Sequence, residues 1–357
     1  QILADLGAEV IKIESSHFWS GYTRGLAARP SKELSLATVP WLGGYPDDEP
    51  NPRAFNKCAG VVNLFRNKHS ATMDLRGEPG RANFLRLVEM SDVLYENNAT
   101  PTMAKLGLDY ETLRAINPRL VMLRAPAFGL SGPYRDYRAL GPNVEGFIGH
   151  SLMRGYEDTD ASSLSSIYPS DYISGAHGAF AVIAALYQRE TTGEGQLIEL
   201  PQVDSAIPMF TEAVMDVVLN DRLATPIGNR DIHGAAPQGC YRCAGPDDWL
   251  ALTVADDERW QALCRIIERP DLAADAGLAT AAGRMARHDE LDTALNAWTA
   301  TLDKWDAFHR LQAAGVAAAP VLTAKEAWDD PQLRARNWFE RVSHPDLGDR
   351  EWPGMLY

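Results

Sequence analysis

Apolar residues recur along the chain with two periods. Short runs at 9–14, 93–96, 120–124 and 196–200 read as strands, and residues 79–90 and 110–116 carry their apolar positions at helical spacing. Further extended runs are expected at 61–65 and 72–75, after a Pro- and Gly-rich stretch over 15–59. The strongest helical pattern covers 172–189 and stops at Thr192-Gly193-Glu194-Gly195; a second long helix is expected over 203–220. Strands alternating with helices at this spacing imply βαβ units and a largely parallel sheet.

The pattern changes near Leu223. A loop rich in Pro, Gly and Asn over 225–239 leads to an expected strand at 249–254. Trp260, Leu263, Cys264 and Ile267 then recur at i, i+3, i+4 and i+7. Trp305, Phe308 and Leu311 mark another helix, ended by Gly315, and 318–322 reads as a strand. The chain therefore divides into a large α/β domain (1–205), a linker helix and loop (206–230), a small α+β domain (231–320) and a return segment (321–357) that ends without a closing element.

Charge narrows the function classes. The 357 residues carry 34 Lys+Arg and 48 Asp+Glu, a net charge of −14. A general nucleic-acid binder needs a basic face, so that class is excluded. Residues 1–140 hold 17 basic and 15 acidic side chains, a net of +2, which leaves −16 for the remainder. An anionic ligand is expected on the N-terminal part. The longest apolar run, 178–187, is about half of the roughly 20 residues of a membrane-spanning helix. Four cysteines and no opening signal peptide point to a reducing cytoplasm. The start at Gln1, inside what reads as a helix tail, points to sequence missing before it.

Most motif chemistry is poorly supported. Cys240-Tyr241-Arg242-Cys243 is a lone CxxC entering a strand, without a second ligand pair for zinc and without the helix N-terminus that stabilises a redox thiolate. Gly193-Glu194-Gly195 precedes a strand rather than a helix, so it reads as a turn. No nucleophile elbow or HExxH pattern is present. Asp171, in Ser170-Asp171-Tyr172-Ile173-Ser174-Gly175, has two readings. Ser170 or Asp171 caps the following helix, or Asp171 is a nucleophilic carboxylate; either keeps it charged. Gly175, Ala176, Gly178 and Ala179 behind it suggest close approach of another backbone or a ligand. Trp19, Phe147 and Tyr172 are equally candidates for a substrate pocket and for the core.

At this point the chain resembles the family III CoA-transferases, a family that includes formyl-CoA transferase and L-carnitine CoA-transferase. The likeness runs through residues 3–14 (LADLGAEVIKIE), Met73-Asp74-Leu75-Arg76, Glu96-Asn97, residues 105–113 (KLGLDYETL), Asn117-Pro118-Arg119-Leu120, Ala127-Phe128-Gly129, Ser131-Gly132-Pro133-Tyr134, residues 171–196 and Gly228-Asn229-Arg230-Asp231. Each match is weak alone; the ordered series is specific.

By resemblance, Asp171 is the catalytic aspartate, forming a mixed anhydride and then an aspartyl-CoA thioester in an acyl-CoA:carboxylate CoA-transferase. Arg76, Asn97, Lys105 and Arg138 match positions that hold coenzyme A, which enters as a substrate with no tightly bound cofactor or metal. Residues 234–238, from Gly234 to Gln238, match a flexible loop that covers the aspartate. The implied fold is a Rossmann-like large domain with a smaller α+β domain, in a ring-shaped chain that forms an interlocked homodimer, truncated at both ends.

Three departures stand out. Asn98-Ala99-Thr100-Pro101 replaces Phe-Arg-Pro-Gly, the loop lacks an uninterrupted glycine run, and Gly141 stands where some relatives have an acidic side chain, with Glu145 as a candidate substitute. An α-methylacyl-CoA racemase is a rival reading, but its Gly-His-Asp-x-Asn-Tyr signature would fall at 138–143, where there is no His. The other rival is a non-catalytic CoA-binding relative.

Overall fold

The computed structural model describes residues 1–15, 17–20, 24–25, 27–36, 44–160, 162 and 168–354. The chain divides into two compact units. One comprises Gln1–Ile148, Ser166–Val214 and Asn337–Tyr357, the other Gly149–Ser165 and Met215–Arg336.

In the first unit β1 (Val10–Glu14) pairs in parallel with β2 (Lys68–Thr72), Val10 lying beside Lys68. A separate parallel sheet runs β3 (Val93–Glu96), β4 (Val121–Arg124), β5 (Leu197–Glu199) in that order. Helix α1 (Glu78–Met90) and helix α2 (Tyr110–Ile116) cover it through Phe84, Val88, Leu113 and Tyr110, which pack with Leu120 and Met122. All five strands are parallel, as alternation with helices requires, but they form two sheets rather than one. At the carboxyl end of the three-stranded sheet a buried ion pair joins two strands, Arg124 Nε to Glu96 Oε1 at 2.5 Å. Arg124 Nη2 also donates to the Thr100 carbonyl at 2.9 Å, which fixes the chain leaving β3.

After helix α3 (Gly141–Phe147) comes the longest helix, α4 (Pro169–Thr192). Its Gly178 accounts for one of the small residues: a Cβ there would stand 3.1 Å from Leu123 Cδ2 and 3.4 Å from Leu200 Cδ2, so the glycine lets the helix settle onto the sheet. Gly175 has open space around it. The turn after α4 is tighter. Gly195 donates its N–H to the Pro118 carbonyl at 2.8 Å, and a Cβ on it would lie 2.1 Å from the Leu120 carbonyl oxygen. Gly195→Ala is therefore expected to cost about 1–3 kcal/mol by forcing backbone apart beside β4, a loss that denaturant unfolding would register.

Four expected elements differ. The extended run expected at 72–75 lies earlier, as the strand Lys68–Thr72. Of residues 61–65, read as extended, 61–64 lie in a helix over Ala59–Leu64 and Phe65 is its C-cap. Cys58, Val61 and Phe65 pack together at i, i+3 and i+7, a helical stripe that outweighed local β-propensity. The second long helix is broken. It runs Gln202–Ala206, then a 3-10 turn over Ile207–Phe210, then Thr211–Asn220, and Pro208, which has no N–H to donate, sits in the turn.

The segment after 321 is more than a connection: it holds helices at Ala324–Asp329 and Pro331–Ala335 and, in the first unit, an antiparallel hairpin of β9 (Phe339–His344) and β10 (Gly348–Pro353). Gly348, where the hairpin turn enters β10, has a positive φ of 67°.

The second unit is an antiparallel sheet of β6 (Gln238–Arg242), β7 (Trp249–Thr253) and β8 (Ala317–Pro320), in that order. Helices α5 (Asp257–Ile266), α6 (His288–Thr299) and α7 (Lys304–Ala313) supply its core with Trp260, Leu263, Leu291, Leu295 and Leu311 against Leu250 and Leu252. All four cysteines are free thiols, and Cys264 is a buried core residue.

Candidate active site

Helix α4 begins one turn earlier than the apolar periodicity alone indicates. Tyr168 is its N-cap, with no side-chain cap, and Pro169 starts the first turn. Ser170 and Asp171 are therefore inside the helix, so neither is the cap that the sequence suggested. The cap comes from another element: Glu145 Oε1 accepts the Ser170 backbone N–H at 3.0 Å. Glu145 is 2% exposed, so this carboxylate is held against the amino end of the helix away from bulk water.

The geometry also explains Gly141. A Cβ at that position would stand 2.7 Å from Tyr168 Cγ, so the Tyr168 side chain packs directly against the backbone of Gly141. An acidic side chain does not fit there in this arrangement. Glu145, one turn on and on the same face of α3, delivers a carboxylate to that helix end instead.

Asp171 occupies the third position of α4 and reaches solvent. Asp171, Ser174 and Gly178 are spaced i, i+3, i+7, a single stripe; Ser174 is buried and shares a 2.6 Å hydrogen bond with Ser205 Oγ, while Gly178 meets Leu123 and Leu200. Burial raises the Asp171 carboxyl above its ordinary value, and the negative charge of Glu145 raises it further. The sequence reading expected Asp171 to stay charged in either role, and the structure adds that its surroundings disfavour the ionised form.

The four expected CoA contacts lie in the first unit, and all four are exposed. Arg76 follows β2, in a turn where its backbone N–H donates to Asp74 Oδ1 at 3.0 Å and Asp74 Oδ2 meets His17 Nε2 at 3.0 Å. Asn97 follows β3 directly. Lys105 ends a short helix over Pro101–Lys105, and Arg138 lies in the loop before α3. No hydrogen bond or ion pair joins these four to one another among the described residues. Arg76 and Asn97 follow the ends of parallel strands, where open parallel sheets bind ligands; Lys105 and Arg138 lie on a short helix and a loop instead.

The substituted segment 98–101 has structural work of its own. The Asn98 N–H and side-chain amide donate to Glu96 Oε2 at 2.8 and 3.0 Å, and Thr100 Oγ1 donates to the Gly129 carbonyl at 2.9 Å.

In the second unit, Asp231 Oδ2 accepts the N–H groups of His233 and Ala235 at 2.9 and 2.8 Å, and Gly234 between them has φ 113°. Gln238 opens β6 with its side chain engaged: Nε2 donates to the Asn229 carbonyl at 3.1 Å, and Oε1 accepts from Thr253 Oγ1 at 3.1 Å.

With this geometry in place, the chain matches the family described as CoA-transferase family III over residues 1–357. The chain belongs to the family III CoA-transferases. A probable CoA-transferase of Mycobacterium tuberculosis is 30% identical over 97% of this chain, but the chain spans only 40% of that protein's length. A succinyl-CoA–D-citramalate CoA-transferase of Chloroflexus aurantiacus is 30% identical, over 98% of this chain and 80% of its own length. A formyl-CoA:oxalate CoA-transferase of Streptomyces coelicolor is 28% identical, over 98% and 82%. The mixed α/β fold matches the crystal structure of a CAIB/BAIF family protein from Brucella suis, with a TM-score of 0.79, 26% identity, and coverage of 100% of this chain and 91% of that one.

Within this family member, two features of the site escaped the sequence reading. Tyr95 on β3 pairs with Leu123 in register, so it stands on the sheet face that α4 covers. Tyr95 is 55% exposed; the part of it that is covered, and then the charge of Asp171, hold its phenol above the ordinary value.

The second feature is aromatic. Phe147 is 51% exposed, Tyr172 73% and Trp19 39%, so none of the three is core. Phe147 packs edge-to-face on Phe128 at 5.0 Å and on Tyr134 at 5.9 Å, with Tyr137 also edge-on to Phe128 at 6.4 Å. The family motifs containing Phe128 and Tyr134 are thus brought together by ring packing. No described helix is long and apolar enough to cross a membrane.

Proposed function

We propose that the protein transfers coenzyme A from an acyl-CoA to a carboxylic acid through Asp171. An Asp171 carboxylate oxygen attacks the thioester carbonyl, the C–S bond breaks, and CoA thiolate leaves a mixed anhydride. The thiolate then attacks the aspartyl carbonyl, releasing the donor acid and leaving an aspartyl-CoA thioester. The acceptor carboxylate displaces CoA to form a second anhydride, and CoA thiolate attacks its acyl carbonyl, regenerating Asp171 and the new acyl-CoA.

The observation that carries this reading is a solvent-reachable carboxylate in the first turn of a 24-residue helix, with a buried Glu145 behind it. Glu145 keeps Asp171 basic enough to attack, while the helix end holds it where backbone dipoles favour its charged form. Trapping an acyl or CoA adduct on Asp171 tests the assignment. A loop over 234–238 excluding water from the anhydride, and assembly as an interlocked homodimer, belong to the same proposal; sedimentation of the full chain reads the latter.

Arg76, Lys105 and Arg138 are proposed to meet the phosphates of coenzyme A. Reversing one charge, as in Arg76→Glu, is expected to raise the KM for acyl-CoA by roughly tenfold, the scale of one charge-assisted hydrogen bond. The control must be a surface cation elsewhere. Arg284 is unsuitable because it is fully buried, donating to the Ala236 and Leu278 carbonyls at 2.7 and 3.1 Å, and Arg334 stacks on Trp328 at 5.0 Å. Arg310 is exposed on α7, and Arg310→Glu should leave KM unchanged. Equal rises in KM at Arg310 and Arg76 would remove the assignment.

A further inference from the structure

A second concentration of charge lies away from Asp171. The pair β1–β2, the helix Ala59–Leu64 and the hairpin β9–β10 line a half-open cavity of about 260 Å³, and among the described residues none of its lining comes from α4 or from β3–β5. Its walls include Lys12, Arg24, Arg66 and Lys68, and no carboxylate.

The cations crowd around a single ring. Lys12 Nζ stands 4.0 Å from the centroid of Phe65, the Arg24 guanidinium 4.8 Å and Lys68 Nζ 5.5 Å. Nearby carboxylates answer only part of this charge. Glu14 is shared by Lys12 at 3.2 Å and Arg24, and Asp5 is held by Arg66 at 2.8 Å, with Glu340 adding negative charge on the Arg66 side. Lys68 donates to the Leu64 carbonyl at 2.8 Å, feels the Asp5 carboxylate and the Gln1 amino group beside it, and makes no ion pair of its own among the described residues. Burial pushes the Lys12 and Lys68 ammonium groups below their ordinary value, and the Lys12 charge lowers Lys68 further. Like charges are thus packed in a recess where an entering anion would relieve their repulsion.

We propose that this cavity binds a phosphate-class anion, a monophosphate or diphosphate group, held between Lys12, Lys68 and the two arginines. Its size fits that class. Pockets for whole drug-sized ligands run from roughly 300 to 1,000 Å³, so 260 Å³ admits a phosphate or diphosphate and excludes an entire nucleotide-bearing cofactor. The donor set fits as well, since Arg forks and Lys point charges are the usual partners of phosphate oxygens. The phosphate belongs either to a free phosphorylated compound or to the end of a longer molecule such as coenzyme A.

The test is calorimetric titration of the full chain with inorganic phosphate and with pyrophosphate at low ionic strength, where screening is weak. One saturable site per chain is expected, weakened at least tenfold by Lys68→Met and by Lys12→Met and unchanged in Arg310→Met. Because these substitutions remove mutually repelling cations and keep an apolar stem, melting temperatures of both variants should hold, so that lost binding is not lost folding. Competition by coenzyme A, with Lys68→Met raising its KM, assigns the site to a phosphate of that molecule; absence of competition assigns it to a free phosphate compound. No saturable binding of either anion, or undiminished binding in both lysine variants, overturns the proposal.

Discussion

Asp171→Ala is expected to reduce CoA transfer by on the order of 10⁴-fold or more, because it removes the carboxyl group on which all three covalent intermediates form rather than a group that assists them. The measurement pairs steady-state transfer, over a panel of acyl-CoA donors and free acids, with mass spectrometry of quenched protein. The wild-type chain should carry an acyl or CoA mass on the peptide containing Asp171, and the variant should carry none. Folding is a poor alternative explanation for such a loss. Asp171 reaches solvent and makes no hydrogen bond that holds the helix among the described residues, while the Ser170 N–H is accepted by Glu145. A variant that melts like the wild type but still transfers CoA at full rate would remove Asp171 from the mechanism. Exchange of an α-proton with solvent, without acyl transfer, would favour the racemase reading instead.

Much of the framework was legible before any coordinates. The strand at 93–96 and the helix at 110–116 stand where periodicity put them, because each is short, bounded by turn residues and built on one core. What misled was local preference read without its tertiary partner. Val61 and Val62 favour a strand by type, yet Cys58, Val61 and Phe65 share a core with Tyr45 and Ala54 that only a helix can reach. The aspartate was legible through the motif, and its cap was not. Glu145 is 25 residues upstream and acts on Ser170, and no local pattern links a buried acid to a distant helix end. Tyr95 was hidden for the same reason: its nearness to Asp171 depends on which sheet face α4 covers, and that is decided by Gly178 against Leu123 and Leu200. The early cation excess of residues 1–140 also acquired a second meaning, since Lys12, Arg24, Arg66 and Lys68 gather in a cavity that Arg76, Lys105 and Arg138 do not line.

Glu145 does two jobs that a pair of substitutions can separate. Burial, and then the charge of Glu145, raise the Asp171 carboxyl, so the acidic limb of kcat/KM against pH should sit above the ordinary carboxylate range. The sign follows from which form is disfavoured: an anionic neighbour destabilises the ionised aspartate, so protonation persists to higher pH and activity is lost earlier as pH falls. In Glu145→Gln the neighbour is neutral, and its amide oxygen still accepts the Ser170 N–H. That variant should keep its melting temperature, move the acidic limb to lower pH, and lose several-fold in the pH-independent rate as Asp171 becomes less basic. Glu145→Ala removes the acceptor too, leaving a buried N–H unpaired at the start of α4 and costing about 1–3 kcal/mol of stability. If the limb stays in place in Glu145→Gln, the basicity of Asp171 comes from burial alone, and the buried acid is a helix cap without a part in the chemistry.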